Sequence, residues 1–152
     1  MYRKVEDFVN DWNMSAEGTL NVFKAMTNDK LGQSIVDGHN SLGWLANHLT
    51  GSIGAFGGLA GFNLPDTNQS TDIEEMIKAY EAASAALKEE AGQLSDEALL
   101  EEVQGFVGPA PRGQILRSLI DHQTHHRGQM TVLLRQAGLT VPPIMGPTKE
   151  MQ

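Results

Sequence analysis

The chain has no cysteine. That excludes a disulfide framework and thiolate ligation, so any metal must be held by histidine, carboxylate and water. Positive charge is scarce as well: 11 Lys and Arg stand against 19 Asp and Glu, a formal net charge of −8. Such a surface repels phosphate backbones, and no Lys/Arg cluster with interleaved aromatics offsets it, which argues against nucleic-acid binding. Long apolar runs are missing too. The N-terminus Met1-Tyr2-Arg3-Lys4-Val5-Glu6-Asp7 carries charge where a signal peptide needs an apolar run, and no window approaches a membrane span, so a soluble, cytoplasmic protein is expected. There is no internal repeat, low-complexity tract or linker-like interruption. The 152 residues are expected to form a single domain, 1–152, around one core.

What the chain does have is a concentration of histidine. Three of its five histidines fall within Asp121-His122-Gln123-Thr124-His125-His126-Arg127-Gly128-Gln129. At about 100° per residue, His122 and His126 share a helical face with Ile115, Leu116, Leu119, Met130, Leu133, Leu134 and Ala137, whereas His125 turns towards the rim. Two neutral imidazoles one turn apart on an inward face can share a divalent ion. A third ligand must come from elsewhere, and only His39 and His48 remain. His48 lies in a second predicted helix beginning Ser41-Leu42-Gly43-Trp44-Leu45-Ala46-Asn47-His48-Leu49, at the edge of its apolar stripe, and is the better candidate. His39 reads as a turn residue.

Taken in order, the chain predicts a first helix from Val5 to Met26, with Ser15 and Gly18 as a point of kinking. A long connection follows, with one helical turn at most between Leu31 and Asn40. The second helix runs from a Ser41 cap to about Phe62 despite Gly43, Gly51, Gly54, Gly57, Gly58 and Gly61, a composition that makes sense where a neighbour approaches closely. The third runs from Thr71 or Asp72 to Ala91, with Gly92 as its stop. A short piece through Leu99 or Leu100 and an extended or irregular stretch from Val103 to Pro111, at most one hairpin, lead to the last helix. That helix starts near Pro111 or Arg112 and stops at Gly138, and the proline-rich tail after it lies along the surface. The expected fold is all-α: a four-helix bundle with a long first connection and an irregular C-terminal tail.

The element Trp44-Leu45-Ala46-Asn47-His48, the run His122-Gln123-Thr124-His125-His126-Arg127-Gly128-Gln129, and Leu134-Arg135-Gln136-Ala137-Gly138-Leu139 with Pro142-Pro143 and Gly146-Pro147 together resemble the DinB/YfiT-like family. The resemblance spans roughly Val5 to Pro147. It implies a four-helix bundle, often a homodimer, with zinc or nickel held by three histidines and open to water. By motif position those ligands are His48, His122 and His126. It also implies a metal-dependent enzyme acting on a small-molecule substrate, either a transferase using a low-molecular-weight thiol or a hydrolase. The motif fixes the metal and leaves the substrate pocket unspecified.

Around these ligands, Trp44 is read as core or pocket wall, and His125 as exposed or lying just behind the metal. Arg127 is read as a salt-bridge or dimer contact, or else a solvated charge. Gly128 would permit close helix packing, and Gln129 would hydrogen-bond near the metal or cap a buried polar group. The last helix lacks the His-Glu-x-x-His arrangement that supplies a metalloprotease with its general base, so peptide hydrolysis is disfavoured. From another class, the chain could be a non-catalytic metal- or ligand-binding bundle serving stress-related binding or sensing. A metal-free bundle whose histidines switch protonation near pH 6.5 is the third reading.

Overall fold

The helices begin and end where local chemistry allows. The computed structural model describes residues 1–152. Helix α1 spans Val5–Lys24 without a break at Ser15 or Gly18. Helix α2 spans Leu42–Leu59, and Ser41 Oγ accepts the Trp44 N–H at its start (3.2 Å). Helix α3 spans Ile73–Gly92, capped by Asp72, whose Oδ1 accepts the Glu75 N–H at 3.1 Å. Helix α4 spans Arg112–Gln136. Each cap satisfies a backbone donor that the first turn leaves without a partner.

Two stops follow glycine chemistry and one does not. Gly61 and Gly138 adopt left-handed φ of 86° and 75°, two residues past the ends of α2 and α4. A side chain would strain that conformation, and this is why α2 closes before Phe62. Gly92, the expected stop of α3, is instead its last helical residue, and the chain leaves through Gln93 at φ −88°. The single helical turn of the first connection forms at Asn28–Lys30 rather than between Leu31 and Asn40.

Helix α1 packs on α3 and α4, and α2 packs on the same two. The cyclic order is therefore α1, α3, α2, α4, with α1 diagonal to α2 and α3 diagonal to α4. Both diagonal connections cross an end of the bundle, and this accounts for the length of the first. The second holds a 3-10 turn, Glu97–Leu100, and an antiparallel pair, β1 (Glu102–Gln104) and β2 (Pro109–Pro111), in register Val103 to Ala110. The expectation of a hairpin at most is met by this two-stranded ladder. Its tip, Phe106-Val107, projects outward.

The glycines of α2 divide into two kinds. A Cβ on Gly43 would stand 3.2 Å from Leu31 Cβ, and the Gly43 N–H donates to Leu31 O at 2.8 Å, so the first connection lies directly on the helix. Gly57 is likewise crowded, by Leu64 and Leu87. Gly51, Gly54 and Gly58 have open space where a Cβ would be, so close approach does not account for them.

The core is aliphatic and aromatic, with Phe8, Trp12, Phe23, Leu45, Leu49, Tyr80, Leu87, Leu116 and Leu119 almost wholly buried. Burial of each such side chain contributes about 1.5–3 kcal/mol. Trp12 Nε1–H donates to Ser84 O at 3.1 Å, joining α1 to α3. At mid-bundle the core turns polar. Gln123 is fully buried; its amide donates to Leu49 O (3.0 Å) and Ser52 Oγ (3.1 Å) and accepts from Tyr80 Oη–H (2.8 Å). No helix is long and apolar enough to cross a membrane.

Candidate metal centre

Adjacency of α2 and α4 brings remote histidines together. His48 Nε2 lies 3.1 Å from His122 Nε2 and 3.2 Å from His126 Nε2, and one ligand nitrogen from each ring falls within 4.8 Å of the others. All three rings are half-buried. Their centroids stand 4.5–4.9 Å apart, at steep angles to one another. The rings thus meet at their nitrogen edges and do not stack.

Neighbouring side chains fix these orientations. Gln129 Oε1 lies 2.8 Å from His126 Nδ1, so Nδ1 carries the proton and the Nε2 lone pair faces the cluster. Trp44 stacks on His48 with centroids 4.7 Å apart and planes 15° from parallel, and Phe56 lies 5.3 Å from the His122 ring. His122 Nδ1 is buried with no hydrogen-bond partner. Burial, then the like charge His126 would carry, pushes the His48 pKa down. The same causes, with His48 and His125 adding to them, bring His122 to about 4. Both rings are neutral at pH 7, as ligation requires.

These residues fit a divalent cation. With His48 Nε2 a little over 3 Å from both other nitrogens, the three cannot all satisfy one another, because each contact needs a proton on one side and a lone pair on the other. A cation about 2.0–2.1 Å from each nitrogen would set tetrahedral ligands roughly 3.3 Å apart, close to the two spacings from His48, 3.1 and 3.2 Å. The donor set suits zinc or nickel over magnesium or calcium. Beside the cluster opens a cavity of about 520 Å³ bounded by His48, His122, Asn47, Phe56, Gln69 and Phe106 among others. No Asp or Glu lines it.

Other histidines stand apart. His125 is exposed, its ring 4.8 Å from that of His126, and His39 is exposed in the first connection. Trp44 is a wall residue, stacked on a candidate ligand and 46% exposed. Phe56 and Phe106, whose rings meet edge to face at 4.9 Å, border the site and are absent from the residues that the sequence points to. Phe56 lies two turns from His48 on α2, a signal that was available; Phe106 reaches the cavity only through tertiary packing.

Three expectations for the last helix are corrected. The buried positions between Leu119 and Met130 are Gln123 and Arg127, and the histidines flank that row. Arg127 is neither a solvated charge nor a salt bridge: it is 5% exposed and its Nη1 donates to Ser15 O (2.9 Å), Ser15 Oγ (3.1 Å) and Thr19 Oγ1 (3.2 Å) on α1. Gly128 does not serve close helix packing within the chain, since a Cβ there would meet nothing within 4 Å.

Comparison with known proteins agrees with this architecture. The sequence model of the DinB family matches residues 1–152. YrdA, an uncharacterized protein of Bacillus subtilis strain 168, is 36% identical over 155 residues, covering 99% of this chain and 93% of YrdA. A crystal structure of a DinB-like protein from Bacillus cereus superposes with a TM-score of 0.88 at 33% identity, covering 95% of this chain and 99% of that one. A DinB-like protein of B. subtilis, YjoA, superposes at 0.76 with 19% identity over 93% of this chain and 99% of its own, a likeness of fold.

Proposed function

The chain belongs to the DinB family, and on that premise we propose that it is a divalent-metal-dependent enzyme whose ion, zinc or nickel, is held by His48, His122 and His126. The observation that carries this is the meeting of the three Nε2 atoms across α2 and α4. A divalent ion supplies a nucleophile at neutral pH, either by lowering the pKa of a coordinated water towards about 7 or by stabilising a thiolate.

The protein's own groups prepare that chemistry. His48 and His122 are already neutral at pH 7, so binding the ion displaces no proton from them. Gln129 keeps the His126 proton on Nδ1, turned away from the ion. Phe56 and Phe106 present apolar surface to a small-molecule substrate in the adjoining cavity, and Trp44 covers the outer face of His48. No carboxylate lines that cavity, so loss of a proton from water or from a low-molecular-weight thiol would rest on the ion itself, and the arrangement suits thiol transfer or small-molecule hydrolysis.

Metal analysis of protein purified without an affinity tag, alongside His48→Ala, His122→Ala and His126→Ala, tests the site. Turnover with thiols and panels of small electrophiles or hydrolysable esters tests the activity. One equivalent of zinc or nickel lost in each variant, with turnover lost in parallel, is expected. Stoichiometric metal in all three variants would overturn the assignment. Bound metal with no turnover on either panel would favour a non-catalytic binding or sensing role.

A further inference from the structure

Arg127 carries a charge into the bundle that nothing in the chain neutralises. Its guanidinium, 5% exposed, bonds only to neutral oxygens: Ser15 O, Ser15 Oγ and Thr19 Oγ1 from Nη1, and Thr124 Oγ1 at 3.4 Å from Nη2. The ion pairs of the structure lie elsewhere, at Arg112–Glu101, Arg117–Asp121 and Arg135–Glu150. The one ionisable group that acts on it is the Tyr80 phenol. A guanidinium stays protonated in a protein, and a buried charge is normally matched by an opposite one. In a chain with 19 acidic residues, none has been placed here.

A cavity of about 440 Å³ lies over this side chain, between α4 and the C-terminal segment. It is on the other side of α4 from the histidine cluster, and none of its lining residues belongs to that cluster. Arg127 Nε makes no hydrogen bond, yet the one wholly buried side-chain atom without a partner is His122 Nδ1. Arg127 is among the residues that line the cavity, and its Nε–H is a donor left without a partner there. The Thr124 and Thr131 hydroxyls on the same wall already donate to Ile120 O and Gly128 O, which leaves the guanidinium as the donor at this end. Two turns further, Arg135 is taken by Glu150, at 2.7 Å. Gly128 stands between these two arginines on the cavity wall, with open space where a Cβ would be. The rest of the wall includes Val141, Pro142 and Ile144.

We propose that this cavity is a second binding site, separate from the metal centre, that takes a small molecule bearing one carboxylate or phosphate group. The Nε–H and Nη2–H edge of Arg127 forms a fork that matches two oxygens of either group. The apolar wall receives a compact remainder of the ligand, and the absence of a side chain at Gly128 keeps the approach open. The site requires no metal and stands whether or not the histidines bind one.

Titration of the full, zinc-loaded chain with sodium butyrate and with sodium phosphate, each against sodium chloride of matched ionic strength, tests this. The readout is the Arg127 Nε–Hε resonance in ¹⁵N-labelled protein, which distinguishes this site from anion binding at the zinc. A saturable shift with a dissociation constant of about 1–10 mM or tighter is expected for at least one anion, and the responding anion identifies the group recognised. Gly128→Leu, which puts a side chain on the cavity wall without removing a partner of the Arg127 hydrogen bonds, should weaken binding at least tenfold while zinc content stays unchanged. Arg127→Lys, followed through backbone amides of 124–131, should weaken it comparably by losing the fork; if that variant does not fold, Gly128→Leu decides. No saturable shift with either anion up to about 100 mM, or an unchanged titration in Gly128→Leu, would overturn the proposal.

Discussion

Gln129 and His126, one helical turn apart on α4, are joined by a contact of 2.8 Å between Gln129 Oε1 and His126 Nδ1. The amide oxygen accepts, so the ring is held in the tautomer whose other nitrogen is free for a cation. Gln129 is itself exposed. Its role is to orient a neighbour.

Removing that acceptor should therefore cost metal affinity without costing the fold. Gln129→Leu is expected to weaken zinc binding about 10–100-fold, the usual effect of losing the hydrogen bond behind a ligating histidine. Competition with a chromophoric chelator measures this, and circular dichroism should show the same helix content. Gln129→Glu, which keeps an acceptor and adds charge, should restore or exceed the wild-type affinity. Equal affinities in all three proteins would mean that His126 is oriented some other way.

The chain's two tryptophans, Trp12 and Trp44, differ sharply in their surroundings. Trp12 is 1% exposed between α1 and α3, whereas Trp44 stacks on His48 at 4.7 Å. Nickel or cobalt added to metal-free protein should quench the Trp44 share of the fluorescence and leave that of Trp12. Trp44→Phe should abolish the quenching and keep the metal. If quenching persists undiminished in Trp44→Phe, the ion is bound away from His48.

How much of this was legible before folding depended on whether the signal was local. The cap at Ser41, the start of the third helix at Thr71 or Asp72, the stop at Gly138 and the spacing of His122 and His126 are matters of a few residues, and each is found in the structure. The partnership of His48 with that pair was within reach because only one other histidine lay outside the last helix. In the middle of α4, apolarity is a poor guide to burial. Positions 116, 119, 123, 127, 130 and 134 form an unbroken stripe at helical spacing, but the two in the centre are Gln and Arg. Spacing alone would have placed Arg127 inside; its charge argued otherwise. Phe106 gave no local signal, since its place at the cavity depends on how a hairpin from a diagonal connection falls on α2.

Gln123 should be the costliest polar residue to replace with an apolar one. Its side chain links α4 to α2 through Leu49 O and Ser52 Oγ and to α3 through Tyr80 Oη, with Thr19 Oγ1 of α1 at 3.3 Å. Gln123→Leu strands the Tyr80 hydroxyl in a dry interior, while the Ser52 hydroxyl keeps its bond to Leu49 O, and a loss of about 1–3 kcal/mol is expected from the unsatisfied group. Tyr80→Phe removes a single partner and should cost about 1 kcal/mol. Urea denaturation of the three proteins gives both numbers. A larger loss in Tyr80→Phe than in Gln123→Leu would show that Gln123 is not the centre of the network.

Acid should release the C-terminal segment at a definite point. Glu150 is paired with Arg135 through two contacts, 2.7 Å from Nε and 3.2 Å from Nη2. Hydrogen bonding to Arg135 first, then to backbone, lowers its pKa to about 2 from the ordinary 4.5. The sign follows from the carboxylate being favoured in the folded state: the pairing contributes fully above pH 4.5 and is lost as pH falls from 4.5 towards 2. Because the pair is exposed, its contribution to global stability should be small and reduced by salt. The readout is therefore local. A carbon-detected titration of the Glu150 carboxyl should show a midpoint near 2, rising towards 4.5 in Arg135→Gln. Amides of the 3-10 turn Lys149–Met151 should move with the same midpoint, because Glu150 is that turn's link to α4. A midpoint already near 4.5 in the wild type would mean that the segment is not held on α4 in solution, and the roof of the cavity above Arg127 would then be open.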